Sequence, residues 1–243
     1  MGLWPRVIAV AVGVVVAALL FKILHPIVVL AVFVAGLVIV YTGGRRRARD
    51  PEQRAGVDLL GLKREETDPF GIAGYPLTLF ARASDPEVED LVWGRWRSLD
   101  VHVFGLSFEP SVLGQEGERW TFACAMAKVD ASLPGLVAEP PTFLTMLKGP
   151  PAAAPVRLGD PSFERELQVW SDDHAFAREV LDAPMREWLR SLDPHWGMEL
   201  LGHIAMIYGP KPERPDLVAT LDLLRGVLER LPRDQGAPHP PAV

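Results

Sequence analysis

From Val7 to Tyr41 apolar residues follow one another with hardly a break, until Lys22, His25 and Pro26 interrupt the run near its middle. A bilayer core takes about 20 apolar residues in a helix, so the run is too long for one ordinary crossing. The pattern predicts two membrane helices, about Trp4 to Lys22 and Pro26 to Gly43, closed into a hairpin. Each would span roughly 27 Å at 1.5 Å per residue. Pro26 suits the first turn of a helix, where its missing N–H costs nothing. The alternative is a single tilted helix from Ile23 to Tyr41 preceded by a signal peptide, although no small-x-small cleavage site separates the two runs.

Beyond the anchor the pattern changes to short alternating and amphipathic segments. Gly56 to Glu66 predicts a short helix, broken by Asp68-Pro69-Phe70-Gly71. Leu77 to Ala81 predicts a strand closed by the turn signal Ser84-Asp85-Pro86. Val88 to Arg97 and Val101 to Phe108 predict two strands around a turn at Ser98 to Asp100. A second turn is expected at Gly114 to Gly117. Arg119 to Val129 is the strongest strand signal. Trp120, Phe122, Cys124 and Met126 share one face and Ala123, Ala125 and Ala127 the other. A strand apolar on both faces belongs in the middle of a sheet covered on each side.

Leu136 to Ala138 predicts a short further strand. Pro140-Pro141 opens a short helix with Phe143, Leu144 and Leu147 inward. Phe163 to Trp170 alternates like a strand, and Ser171 or Asp172 then caps a helix reaching Leu181. Asp182-Ala183-Pro184 starts another helix, whose stripe of Met185, Trp188, Leu189 and Leu192 marks one packed face. Met198 to Leu201 and Ile204 to Tyr208 predict a hairpin turning at Gly202-His203. Pro215 opens a final helix with Leu217, Leu221, Leu224, Leu228 and Leu231 on one face, ended by Pro232. The sum is an α+β chain: a transmembrane hairpin (1–44), a basic linker (45–56), one α+β domain with an antiparallel sheet (57–232) and a disordered tail (233–243).

Charge adds an orientation. Arg45, Arg46, Arg47 and Arg49 follow the second apolar arm and Arg6 opens the first. Positive residues near membrane ends stay cytoplasmic, so a hairpin places the domain beside the inner leaflet. The formal net charge of -6 over 243 residues, with no basic groove, argues against a nucleic-acid partner. The single cysteine, Cys124, excludes an intramolecular disulfide and a cysteine-based zinc cluster. The expected partners are the lipid bilayer and a protein at the membrane.

Several residues carry candidate chemistry, each weighed against a structural role. Asp172-Asp173-His174 has the composition of a ligand cluster, but acids at a helix start also offset the dipole. Glu164 and Glu166, two apart on a predicted strand, share a face with Gln168 and fit a solvated surface better than an acid–base pair. His102, His195 and His203 could join a Ser–His–Asp site only through the fold, since no G-x-S-x-G elbow is present. Cys124 reads as a small core hydrophobe. Trp93, Trp96, Trp120, Trp170 and Trp188 sit in periodic elements and read as core rather than as a ligand groove. Neither phosphate-cradling glycine motif occurs. No catalytic, metal or cofactor-binding residue is assigned, and no cofactor is expected.

The segments Glu89-Asp90-Leu91-Val92-Trp93-Gly94-Arg95-Trp96, Phe122-Ala123-Cys124-Ala125 and Phe163-Glu164-Arg165-Glu166-Leu167-Gln168-Val169 occur here in order. Asp173, Phe176-Ala177, Leu181-Asp182-Ala183, Met185 and Trp188-Leu189 follow. Together they resemble a group of membrane-anchored actinobacterial proteins patterned E-N-V-L-W-G-x-W, F-S-C-A, F-x-R-x-F-x-V, D-x-x-F-A, L-x-D-A-x-M and W-L-L. Asp90, Ala123 and Leu167 depart from it. The resemblance implies a single domain after the anchor and supplies no activity or site residue. The expected function is a non-catalytic interaction or ligand-binding domain held at the inner leaflet; the alternative is a membrane-tethered hydrolase of lipid or envelope precursors.

Overall fold

The computed structural model describes residues 57–110, 119–192, 196–211 and 216–232. The expected hairpin, basic linker and tail, the turn at Gly114 to Gly117, Pro215 and His195 lie outside the described residues. Among the described residues no helix is long and apolar enough to cross a membrane.

Six antiparallel strands form one sheet: β1 (Lys63–Glu65), β2 (Ser84–Trp96), β3 (Leu99–Glu109), β4 (Trp120–Glu139), β5 (Gln168–Ser171) and β6 (Gly197–Pro210). The order runs β1-β2-β3-β4, and β6 lies along β4 from Phe122–Pro210 to Ala138–Met198. The other edge of β4 is shared: β3 borders Trp120 to Ala127, and β5 borders Leu136 to Glu139. The α+β expectation therefore holds, with β4 central as its two apolar faces require. Phe122, Cys124 and Met126 enter one core, Ala125 and Ala127 the other.

Among the described residues the helices that cover the sheet include α1 (Thr78–Arg82), α2 (Phe143–Met146), α3 (Pro161–Glu166), α4 (His174–Val180), α5 (Ala183–Ser191) and α6 (Leu217–Leu228). The larger core takes Phe163 from α3, Phe176 and Val180 from α4, Met185 and Leu189 from α5, and Leu221, Leu224 and Val227 from α6. The smaller, more aromatic core gathers Leu79 and Phe80 of α1 and Phe143 of α2 with Phe104, Phe108, Phe122 and Tyr208. The stripes foreseen for α5 and α6 are the faces that pack.

Six expectations are corrected. Gly56 to Glu66 is helical only over 57–59; Gly61, at φ 68, ends the turn and β1 follows. Leu77 to Ala81 gives helix α1 rather than a strand, for a reason described below. Ser84-Asp85-Pro86 lies inside β2, where Asp85 (φ 48) and a register shift make a bulge in place of a turn. Phe163 begins no strand: Asp160 accepts from Ser162 N–H and Phe163 N–H at 3.2 and 3.1 Å, Pro161 sits in the first turn, and α3 results. Met198 to Tyr208 is one continuous strand, with Gly202 (φ 56) serving a bulge where a hairpin turn was expected. The segment at Leu136 is likewise the far end of β4.

The bulges fold the β4–β6 ribbon over on itself. A Cβ on Gly197 would lie 3.2 Å from Tyr208 Cζ. Eleven residues of straight strand would hold these positions about 36 Å apart. The register shifts between Lys128 and Leu136 supply the bend that brings the two ends of the ribbon together.

Candidate functional site

Inside the fold of that ribbon sit four polar side chains that the sequence pattern hid among apolar neighbours. Arg82, Glu139, Glu199 and Tyr208 are 5%, 0%, 1% and 0% exposed. Arg82 ends α1, Glu139 ends β4, and Glu199 and Tyr208 come from opposite ends of β6. Arg82 Nη1 donates to Glu139 Oε1 at 2.7 Å, and Arg82 Nε donates to the Gly149 carbonyl at 2.7 Å. The Tyr208 hydroxyl donates to Glu139 Oε2 at 2.8 Å. Glu199 accepts from the backbone N–H groups of Thr78 and, at 3.0 Å, Leu79.

These contacts explain α1. Its N-cap, Leu77, makes no side-chain hydrogen bond. A carboxylate 121 residues away takes the N–H groups that a local cap would otherwise take. Burial drives the electrostatics. It pushes the Glu199 carboxyl up to about 7, against the pull of the two N–H groups and with help from the charge on Glu139. Burial also raises Glu139, and Arg82 and Tyr208 offset this in part. The Tyr208 hydroxyl is pushed well above its usual range by burial and by both acids. Arg82 Nη2 is buried with no hydrogen-bond partner among the described residues.

A raised carboxyl suits a general acid, but only where substrate reaches it. Glu139 and Glu199 are closed off by α1 and the ribbon, so the cluster as it stands is shut off from solvent and holds α1 in place.

The residues singled out from sequence are dispersed. Asp173, rather than Ser171 or Asp172, caps α4, accepting from Ala175 N–H and Phe176 N–H at 3.0 and 2.9 Å. Asp172 accepts from Ala154 N–H at 3.4 Å, and His174 is exposed. Glu164 and Glu166 lie on α3, not on a strand. Glu164 takes Arg157 at 3.0 Å and the N–H groups of Leu158 and Gly159, while Glu166 pairs with Arg190 at 3.4 Å. His203 Nδ1 lies 3.3 Å from the Val129 carbonyl. His102 packs edge-on to Phe70 at 5.2 Å, and burial lowers its affinity for a proton. Neither imidazole is hydrogen-bonded to a carboxylate among the described residues. Cys124 is fully buried, and burial pushes its thiol up, which leaves it unreactive. Trp96 and Trp170 are buried, while Trp93, Trp120 and Trp188 pack against the two cores.

The described residues thus define an α+β domain with helices on both faces of a bent antiparallel sheet and its polar interior devoted to holding one cover helix. No protein-family model matches the chain, and no curated protein sequence does. Among solved structures, the fold is similar to that of the mycobacterial trehalose monomycolate transport factor A, TtfA. The TM-score is 0.54 at 14% identity, over 76% of this chain and 96% of that one. At that identity the likeness is one of fold.

Proposed function

We propose that this chain is a membrane-anchored, non-catalytic accessory factor in moving an envelope glycolipid, with its α+β domain held at the inner leaflet as the partner-binding part. The observation that carries the reading is the fold shared with a trehalose monomycolate transport factor across 96% of that protein's chain. The apolar run from Val7 to Tyr41 and the arginines at 45–49 support an anchor and a cytoplasmic face. Two further observations support a binding role over hydrolysis. The acids with raised proton affinity are sealed from solvent, and the candidate acids of α3 and α4 are engaged in caps and ion pairs.

The test is removal of the protein from its host, followed by metabolic labelling of trehalose glycolipids. The expected result is accumulation of the labelled monomycolate in the inner-membrane pool and its loss from the surface, restored by the full chain. Unchanged surface labelling would overturn the transport reading. Consumption of trehalose monomycolate by the purified full chain would restore the hydrolase.

A further inference from the structure

The buried cluster is unbalanced by one charge. Glu139 and Glu199 bring two carboxyl groups and Arg82 one guanidinium. Tyr208 stays neutral, because losing its proton would add a second unbalanced charge. The groups facing Glu199 come from three elements: the Thr78 and Leu79 amides and the Thr78 hydroxyl of α1, Glu139 of β4, and Tyr208 of β6, with Arg82 reaching the cluster through Glu139. From the loop after α2, Lys148 bonds Arg82 through its backbone N–H, and its side chain is exposed. No second cation among the described residues enters the cluster, so a proton is the available counter-charge.

Both ends of α1 depend on these two acids. Glu199 holds its first turn and Glu139 holds Arg82 at its last. The helix has only five residues and no local cap; besides the two acids it is held by Leu79 and Phe80 in the smaller core and by the Lys148 N–H on the Arg82 carbonyl. Beneath it lie Phe104, Phe122, Phe143 and Tyr208 of the smaller core.

We propose that Arg82, Glu139 and Glu199 form a proton-operated latch on α1: the protonated cluster keeps residues 77–83 seated on the smaller core, and loss of that proton releases them. The unpaired negative charge left by deprotonation is relieved when the segment lifts and water reaches Glu199. Glu139 stays paired with Arg82 only while the segment is down, so the two ends release together. This inference does not depend on the transport reading.

Hydrogen–deuterium exchange of the purified full-length chain, followed by mass spectrometry from pH 5 to pH 8, tests it. Rates are corrected for the intrinsic pH dependence of exchange. In the wild-type protein the protection of residues 77–83 falls as pH rises, by up to about tenfold per pH unit for one linked proton. Protection of Trp120 to Ala127 in β4 stays constant. Glu199→Gln, a neutral mimic of the protonated acid, makes the 77–83 profile clearly shallower than wild type, leaving only the slope that Glu139 contributes. Glu139→Gln balances Arg82 against Glu199 and keeps protection high at pH 8, which serves if Glu199→Gln does not fold. A flat wild-type profile overturns the latch. So does a loss of protection that spreads equally over β4, or a Glu139→Gln profile identical to wild type.

Discussion

Gly226 of α6 lies directly under the indole of Trp188 on α5. A Cβ at Gly226 would stand 2.9 Å from Trp188 Cε2 and closer still to Cζ2. Arg230, just past the end of α6, covers the same ring at 4.7 Å. The glycine is therefore the notch that lets α5 and α6 approach, and a rigid aromatic ring flanked by another side chain has little room to yield.

Gly226→Ala follows from this notch. In an exposed helix the change would stabilise by up to about 1 kcal/mol. Here overpacking costs about 1–3 kcal/mol, so the net effect is a loss. Thermal unfolding of the single variant should show a lower midpoint. Adding Trp188→Leu should recover part of it, because the smaller side chain vacates the space. A Gly226→Ala protein as stable as wild type would mean that the two helices are not this close.

Much of the fold was legible because its signals are local. β3 and the first half of β4 alternate over enough residues to show period 2, and α5 and α6 carry caps and stripes within their own sequence. What failed has a common cause. α1 has its cap on another strand, Glu199, so the Leu77 to Ala81 alternation could not reveal it. Gly202 carries a left-handed backbone in a hairpin turn and in a bulge alike, and only the partner strand decides which. Asp160-Pro161 was a readable helix start that the alternation of Phe163, Leu167 and Val169 outweighed. The polar cluster left a fainter trace. Glu199 sits within Met198-Glu199-Leu200-Leu201, and Glu139 directly follows Val137-Ala138. A charged residue inside an apolar strand pattern needs a partner, and here the partner is set by a fold of the ribbon that no window of sequence contains.

The acids at the start of α4 separate by role. Asp173 takes two first-turn N–H groups, while Asp172 makes one long bond to Ala154. Asp173→Ala should cost on the order of 1 kcal/mol, the value of a helix cap. Asp172→Ala should stay within about 0.5 kcal/mol of wild type, as for an exposed side chain without a special role. Denaturant unfolding of the two single variants measures both. Equal losses would show that the cap is shared, and a metal-dependent shift in either midpoint would revive a ligand site at Asp172-Asp173-His174.

The Glu199 carboxyl also sets a slope of stability against pH. Its folded value of about 7 stands above the ordinary 4.5, so the native state holds a proton that the unfolded chain has released. The stabilisation is full below about pH 4.5. It is lost as pH rises toward 7, at up to about 1.4 kcal/mol per pH unit, and is gone above that. Glu139 contributes a slope of the same sign, since burial raises it too. Glu199→Gln removes only the first of these. Denaturant unfolding at pH 5 and pH 8 should therefore find the variant gaining on wild type at the higher pH. The two carboxyl oxygens of Glu199 take one α1 N–H each, whereas the single amide oxygen of Gln leaves its –NH2 facing one of those donors, so at pH 5 the variant should be the weaker of the two. A difference between variant and wild type that is the same at both pH values would show that Glu199 does not hold its proton through this range.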